Sequence, residues 1–541
     1  MNYRDKYSRT AEWWRQDKPD YIFNRHWMEV AAAADKDHII ELPPRQSVED
    51  SGLPYDNYGK VGLVLWHDED GQTILPVGLI GHKEGKTVFC YHPEYAADPA
   101  APAISRSLPK TKLRHIWPPE GLTEAQATSV GNRTILPFFD NLVSESVLGL
   151  AQENACTQLK NIFKKYKGDK PRDPLKSVDE FVTHDNAKHR FGRLLTFGRG
   201  FHGAVSVVDI AMPDQVAGFE QDLSLQSMGT VGGMNPKSLG IKTPDGYEPA
   251  PRNADSGYIL KFHNPSLMGP DLTQNEYLSF IASKVLLPDD TFPEFDLAMV
   301  PNPRKKKSDG QDEPDKVKAF VVRRFDRGKG RLHFEEATQL MGIPASEKTE
   351  RSYQELGTLT HAIMGEEGAK QVFKRILAQL VLGNTDGHLK NIGFRAKKDG
   401  GWELTENYDL VAASHYSYKE KNPYIESSRE KLRSYKTLPL RYNNKSPARA
   451  LGEMLPKELF LLAGNLGLSY DDAKTILYEM KARIPAAIKA IEETRHDLVE
   501  PQYQQQFADS IRRQFACQYG SLDRYCQFKE QGRGSGGFSL G

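Results

Sequence analysis

Short hydrophobic runs with the pattern of β-strands dominate the first half of the chain. Residues 61–66 (VGLVLW), 73–80 (TILPVGLI) and 87–92 (TVFCYH) are separated by Asp-Gly and Glu-Gly turns, which is typical of antiparallel strands. A second region rich in short strands extends from about 190 to 335, and helical stretches around 138–165 lie between the two. The pattern therefore predicts two β-rich regions in succession.

Beyond residue 350 the spacing of hydrophobic residues becomes helical. In residues 370–383 one face carries the hydrophobic side chains Val372, Phe373, Ile376, Leu380 and Val381. This is the period of an amphipathic helix, and residues 456–497 alternate in the same way. The Gly- and Ser-rich residues 527–541 predict a disordered end. A β-rich part followed by a helical part indicates an α+β fold.

These changes in pattern divide the chain into six predicted segments. They are an N-terminal extension (1–60), a small β-rich domain (61–165), a charged linker (166–188), a β-rich lobe with a glycine-rich loop (189–350), a helical lobe (351–500) and a C-terminal tail (501–541). The pattern assigns no role to the extension or to an insertion at 301–318.

Composition and charge exclude several classes of protein. Lys plus Arg and Asp plus Glu number 72 each, and this balance argues against bulk electrostatic binding of DNA or acidic membranes. No apolar run approaches the ~20 residues that span a bilayer, and the first residues lack the apolar stretch of a secretory signal. The four cysteines, at 90, 156, 517 and 526, are spaced unlike a zinc site or a disulfide framework. We expect a reduced, cytoplasmic protein without a membrane partner.

The densest polar cluster, residues 384–391 (NTDGHLKN), directly follows the predicted helix. Tyr408 and Asp409 follow the next β-prone run. Mg²⁺ prefers oxygen ligands and needs few from the protein when phosphates supply others, and a further Asp can orient an attacking hydroxyl. We therefore predict phosphoryl transfer with Asp386 as the base and with Asn391 and Asp409 as metal ligands. Alternatively, Asp386 lies in a plain turn and Asp409 caps a helix, but the order of the residues favours function.

A phosphate-binding partner is expected upstream. Residues 229–237 (GTVGGMNPK) form a glycine-rich turn whose N–H groups could bind phosphate, although Pro236 excludes a Walker A loop. Lys261 lies in a predicted strand (YILKF), and Glu276 in the next helix is its candidate partner. Taken alone, such a turn is more often an ordinary hairpin, and most strand lysines face solvent.

Together these residues resemble the HipA-type serine/threonine kinases, the toxins of bacterial toxin–antitoxin pairs. The family's D-G-H-x-K-N signature stands at 386–391, its Tyr-Asp pair at 408–409, its nucleotide lysine at Lys261 and its hinge at 322–327. The resemblance implies a two-lobed protein-kinase-like fold behind a small β-rich N-terminal domain.

The resemblance also implies ATP and Mg²⁺ as cofactors. The ATP-binding residues that it implies are Gly232, Gly233, Met234, Asn235, Lys237, Lys261, Arg323, Arg324, Phe325, His388, Lys390 and Tyr408. His388 could instead be a metal ligand, but bracing of the catalytic loop is favoured. The family autophosphorylates a serine in the glycine-rich loop; here Thr230 takes that place with Ser227 nearby, and Thr230 is equally well read as a turn residue.

The function implied is transfer of the ATP γ-phosphate to a protein hydroxyl. The implied type of target is an aminoacyl-tRNA synthetase, whose phosphorylation halts translation. The implied partner is a helix-turn-helix antitoxin, through which the protein meets DNA only indirectly. Two alternatives stay open. One is an inactive, nucleotide-sensing co-repressor bound to that antitoxin. The other is a metal-dependent hydrolase built on Asp386, His388 and Asp409.

Overall fold

The computed structural model of the protein describes residues 3–10, 39, 61–144, 152–154, 156–157, 170, 172–176, 178–209, 237–250, 256–263, 267–268, 271–302, 315–397, 400–415, 417–418 and 437–533. The strands in this part of the chain are β1 (Arg9–Thr10), β2 (Val61–His67), β3 (Thr73–Lys83), β4 (Lys86–Tyr91), β5 (Arg114–Trp117), β6 (Val205–Asp209), β7 (Lys237–Thr243), β8 (Gly246–Pro249), β9 (Tyr258–Phe262), β10 (Leu267–Met268), β11 (Phe295–Pro301), β12 (Lys316–Arg323), β13 (Glu335–Glu336), β14 (Gly393–Ala396), β15 (Trp402–Leu404) and β16 (Ser417–Tyr418). The helices are α1 (Tyr3–Tyr7), α2 (Pro93–Ala97), α3 (Glu124–Arg133), α4 (Pro137–Leu142), α5 (Val178–His184), α6 (Ala187–Phe197), α7 (Leu272–Leu286), α8 (Ala337–Met341), α9 (Tyr353–Leu382), α10 (Pro456–Asn465), α11 (Tyr470–Glu493), α12 (Pro501–Tyr519) and α13 (Leu522–Arg533).

The chain forms two compact units that do not coincide with the predicted segments. Unit 1 comprises Met1–Leu260, Val300–Lys316 and Arg324–Ala345, and unit 2 comprises Lys261–Met299, Val317–Arg323 and Ser346–Gly541. The predicted lobe 189–350 is thus divided between the units. A sequence pattern finds elements but not this division, because stretches far apart in the chain pack into the same unit.

Unit 1 is built on an antiparallel sheet with the strand order β5-β4-β3-β2-β6, and β1 also pairs with β3. The three predicted strands are confirmed as β2, β3 and β4, and their core includes Val64, Val77 and Phe89, all fully buried. The sheet extends beyond the predicted domain end at 165, since β6 pairs with β2. Part of the predicted linker 166–188 is helical, as α5.

Unit 1 also holds histidines that are neutral in the folded state. Burial, assisted by the charge of Lys188, lowers the pKa of His82 to about 4. Burial likewise holds the pKa of His67 well below its ordinary value, with Arg331 and Arg327 adding to the effect. In the unfolded chain both groups regain a pKa of about 6.5. At a pH between the folded and unfolded pKa values, the unfolded state therefore binds more protons than the folded state.

The free energy of unfolding is therefore expected to fall as the pH drops from about 6.5 towards 4. His82 alone contributes at most roughly 3 kcal/mol to this loss. The replacement His82→Gln keeps a polar group beside Thr87, whose hydroxyl lies 3.0 Å from His82 Nδ1, but cannot titrate. Urea titrations across this pH range should give a flatter pH dependence for the variant, and identical slopes would contradict the assignment.

Unit 2 is mainly helical and is organised around α9. Ser352 caps the start of this helix in a capping box with Glu355, and Gly383, with a φ of 74°, caps its end; Gly365 within it is non-helical. The predicted helix at 370–383 is confirmed as its second half, and its predicted hydrophobic face is buried. The predicted helical stretch 456–497 forms two helices, α10 and α11, because the chain turns at Gly467 with a φ of 79°.

The prediction of disorder for residues 527–541 is wrong for residues 527–533, which are helical. The chain forms α12 and then α13, and α12 packs against α9 and α11. In α13, Leu522 and Cys526 are buried, and the Tyr525 ring stacks on Phe460. These contacts order the segment despite its polar composition, while residues 534–541 lie outside the described part. No helix in the described part of the chain is long and apolar enough to cross a membrane.

Candidate active site

Three segments of unit 2 meet at the amino group of Lys261. Strand β9 carries Lys261, α7 carries Glu276, and the loop after β15 carries Asp409. Lys261 Nζ donates to Glu276 Oε2 at 2.6 Å and to Asp409 Oδ1 at 2.5 Å. Lys261 and Glu276 are each only 4% exposed. The structure therefore places the predicted partner Glu276 and the predicted metal ligand Asp409 on the same lysine.

The charge of this lysine is maintained by its two partners. Burial would lower the pKa of Lys261, but the carboxylates of Asp409 and Glu276 outweigh it, so the pKa lies above its ordinary value. The ammonium group also lies 5.9 Å from the centre of the Phe320 ring, within reach of a cation–π attraction. Unit 2 thus holds a fixed, buried positive charge beside a partly exposed carboxylate, since the Asp409 side chain is 33% exposed.

Asp409 adopts a backbone conformation that few residues other than glycine take. Its φ is 53°, in the left-handed region that costs a side-chain-bearing residue roughly 1 kcal/mol or more. The neighbouring contacts impose this conformation. Tyr408 donates its hydroxyl to the carbonyl of Lys390 at 2.8 Å, and the Ala412 N–H donates to the Asn275 side chain at 2.7 Å.

A buried ion pair anchors the same loop from the other side. Arg375 in α9 donates to both carboxylate oxygens of Asp290, at 2.7 and 2.6 Å, and to the Thr405 carbonyl at 2.5 Å. Asn407 donates to Asp290 at 2.6 Å and bonds through its backbone to Thr291. The residues just before Asp409 are therefore tied to α9 by charge-assisted hydrogen bonds.

Removal of this anchor should destabilise unit 2. We expect Arg375→Met to lower the free energy of unfolding by about 3 kcal/mol, because Asp290 is left largely buried without its cation. The matched control is Lys374→Met on the same helix. The side chain of Lys374 is half-buried, and its Nζ lies 3.6 Å from Glu479 Oε2. Its replacement should lower the free energy of unfolding by under about 1 kcal/mol. Urea unfolding measures both, and equal losses would show that Arg375 is no anchor.

The loop after α9 presents Asp386 to solvent on a rigid backbone. The Asp386 side chain is 61% exposed, and His388 Nε2 lies 4.0 Å from its carboxylate. The backbone is fixed by hydrogen bonds from Asp386 N to Asn384 Oδ1 at 2.9 Å and from Asn391 Nδ2 to Asp386 O at 2.7 Å. A Cβ at Gly387 would lie 2.2 Å from Gln379 Oε1, so any larger residue there would have to displace the amide end of that side chain. Asp386 is thus an accessible carboxylate held in one place.

The remaining predicted residues of this loop are buried and support it. His388, Lys390 and Asn391 are each less than 10% exposed. The His388 N–H donates to the carbonyl of Asp386 at 2.8 Å. These contacts suit a bracing role, and the roles of these residues in binding ATP stay predictions.

The predicted hinge residues belong to different units. Arg323 is exposed at the end of β12 in unit 2, and Phe325 packs on Phe334 in unit 1. Arg324 is buried in unit 1, where it donates to both carboxylate oxygens of Asp326 at 3.0 and 2.9 Å. This ion pair gives Arg324 a structural role in unit 1, and the roles of Arg323, Arg324 and Phe325 in binding ATP stay predictions.

The glycine-rich loop cannot be placed from the described residues. Lys237 is the first residue of β7 in unit 1. The other predicted residues of this loop lie outside the described part of the chain: Ser227, Thr230, Gly232, Gly233, Met234 and Asn235. Their roles in binding ATP or accepting a phosphate therefore stay predictions.

Comparison with known proteins identifies the domain that carries the cluster. Residues 229–488 match the family model of the HipA-like C-terminal domain. The chain contains a HipA-like C-terminal domain. This domain spans Lys261, Glu276, the 384–391 loop and Asp409.

Two known proteins are similar in sequence to parts of this chain. Y4dM of Sinorhizobium fredii is 23% identical over 385 residues, which are 66% of this chain and 82% of that protein. A protein of Haemophilus influenzae is 30% identical over 175 residues, 30% of this chain and 47% of that protein. Both carry the word kinase in their names.

The fold is similar to that of HipA from Shewanella oneidensis, solved with HipB and its operator DNA. The TM-score is 0.53 at 17% identity, over 85% of this chain and 98% of that chain. At this identity the likeness concerns the fold. The predicted α+β, kinase-like fold of the HipA type is thereby confirmed.

Proposed function

We propose that the protein is a HipA-like serine/threonine kinase that transfers the γ-phosphate of ATP to a protein hydroxyl. The observation that carries the proposal is the convergence of Lys261, Glu276 and Asp409 in a HipA-like domain. A buried ammonium paired with two carboxylates is suited to holding nucleotide phosphates, because phosphates can compete for it while Glu276 keeps it in place.

The residues present fit ATP with Mg²⁺. Asn391 and Asp409 would hold the metal, since both offer oxygen ligands and the hydrogen bond from Asn391 Nδ2 to Asp386 O orients the amide so that its oxygen points away from that bond. Lys261 would hold the phosphates. The bound metal would neutralise charge on the transferred phosphoryl group.

Asp386 would serve as the base. Its carboxylate is exposed and can reach an acceptor hydroxyl, while its backbone is fixed by Asn384 and Asn391. In phosphoryl transfer such an Asp orients the hydroxyl and accepts its proton. A general base of this kind contributes about 10²–10⁴ to the rate.

We further propose that the kinase acts in the cytoplasm as a toxin on translation, with an aminoacyl-tRNA synthetase-like acceptor. Its partner would be a helix-turn-helix antitoxin, through which it would meet operator DNA. The support is the HipA domain, together with the similarity in fold to a HipA solved with HipB and operator DNA.

The proposal is tested by labelling. The full chain is incubated with Mg²⁺, γ-³²P-ATP and a bacterial lysate, and labelled proteins are identified by mass spectrometry. We expect label on serine or threonine of an acceptor protein. ATP binding without any label would favour the co-repressor, and Mg²⁺-dependent cleavage of nucleic acid without ATP would favour the hydrolase.

A further inference from the structure

A polar groove of about 1270 Å³ lies within the described residues of unit 2, along one face of α12. Gln502, Gln506, Ser510 and Gln514 line it at intervals of four residues, so they form one stripe of the helix. From the first to the last of them the helix rises about 18 Å. The groove is therefore elongated.

The lining is suited to a polypeptide in extended form. Glutamine amides and serine hydroxyls both donate and accept hydrogen bonds, as the peptide groups of an extended chain do. Among the described residues, Leu451 and Tyr503 give the groove small apolar areas beside these polar groups. At about 3.3 Å per residue, a length of 18 Å matches five or six residues of an extended segment.

The two ends of the groove carry opposite charges. Asp271 and Glu500 lie near the first turn of α12, and Arg513 lies towards its end. Lys318 pairs with Asp271 at 2.9 Å, so Glu500 is the main acidic group at that end. Burial lowers the pKa of His415 to about 4, so this histidine adds no charge near neutral pH. The Glu500 end would therefore favour a basic residue of a bound segment, and the Arg513 end an acidic residue.

Stretches that line the groove are close in sequence to the residues of the Lys261 cluster. His263 follows Lys261 by two residues, and Gln274 precedes Glu276 by two. The loop that carries Asp409 reaches the groove at His415, which bonds to Ser510 at 2.6 Å.

Asn275 joins two of these walls. It is fully buried and exchanges two hydrogen bonds with the backbone of Ala412, at 2.7 and 3.3 Å. An occupant of the groove therefore contacts the segments that position the candidate active site.

We propose that this groove binds an extended segment of the protein acceptor, with a basic residue at the Glu500 end and an acidic residue at the Arg513 end. The assignment of the segment to the acceptor rests on the proposed kinase function. The reason to assign it to the acceptor is that the segments that carry Lys261, Glu276 and Asp409 also line the groove, through His263, Gln274 and His415.

Binding is tested with two pools of fluorescein-labelled hexapeptides. One pool has Arg as its first residue and Glu as its last, and the other has Glu first and Arg last. The four residues between them are random mixtures of uncharged residues in both pools. Fluorescence anisotropy should show that the full chain binds one pool. Arg513→Glu should weaken that binding about tenfold, since a charge-assisted contact is lost. It should instead favour a pool with Arg at both ends. Arg524→Glu on α13, outside the groove, makes the same charge change and should have no effect.

Kinetics then distinguish the groove from the kinase proposal. Arg513→Glu should raise the KM for the labelled acceptor protein about tenfold and leave kcat unchanged, because the residue lies outside the catalytic cluster. Binding of neither hexapeptide pool, or equal binding by Arg513→Glu and the wild type, would overturn the groove as a peptide site. An unchanged KM for the acceptor would overturn the docking role. Peptide binding without any phosphoryl transfer would refute the kinase and, with it, the assignment to an acceptor.

Discussion

Replacement of Asp386 by Asn is expected to lower kcat for phosphoryl transfer by about 10²–10⁴-fold, the usual contribution of a general base. The amide keeps the shape of the side chain but cannot accept a proton from a hydroxyl. The affinity for ATP should stay within about threefold, because the carboxylate is exposed and the loop is held through backbone atoms of Asp386. The measurement is acceptor phosphorylation at saturating ATP, with ATP binding measured by calorimetry.

The matched control is Asp289→Asn. Asp289 is also in unit 2, and its side chain is 81% exposed, with Arg483 at 3.9 Å. The same chemical change there should leave kcat unaltered. A kcat for Asp386→Asn close to that of the wild type would remove Asp386 from the role of base.

The replacement Lys261→Met should abolish tight ATP binding and destabilise the protein. Without the ammonium group, the carboxylates of Glu276 and Asp409 stay close together and lose their shared cation. Removing one partner of a buried ion pair costs about 3–5 kcal/mol, and loss of a positive clamp on the phosphates lowers the rate about 10²–10³-fold. Urea unfolding measures the stability, ATP calorimetry the affinity, and acceptor phosphorylation the rate.

Two further variants separate stability from binding. The double variant Lys261→Met/Glu276→Leu should regain part of the stability, because the buried carboxylate is removed, but it should not regain ATP affinity. Lys284→Met, on the exposed face of α7, should alter neither property. Recovery of ATP affinity in the double variant would show that Lys261 acts only as a structural partner of Glu276.

Local sequence patterns predicted the elements that carry the candidate site. The polar run 384–391 stands where a hydrophobic helix ends at a glycine, and both features are readable in one short stretch. Lys261 in β9 and Glu276 in α7 are only 15 residues apart, and Lys261 Nζ donates to Glu276 Oε2 at 2.6 Å. The chain between two residues so close in sequence can adopt few arrangements, so the pairing of Lys261 with Glu276 could be predicted.

The supporting contacts were not readable, because each joins distant segments. Asn275 meets Ala412 across 137 residues, and Arg375 meets Asp290 across 85. A buried Asn or Arg carries no signal of its partner in a single sequence. The helical form of α12 was hidden for another reason: its glutamines mask the spacing of Tyr503, Phe507 and Ile511, which are buried on one face.

The central claim is that unit 2 carries a site that transfers the γ-phosphate of ATP. The most direct test compares γ-³²P-ATP with α-³²P-ATP under the same conditions, with Mg²⁺, the full chain and the acceptor protein. We expect label from the γ-position only, on serine or threonine, and labelling by Asp386→Asn that is slower by about 10²–10⁴-fold. Label from the α-position, or ATP binding without transfer of either label, would contradict the claim.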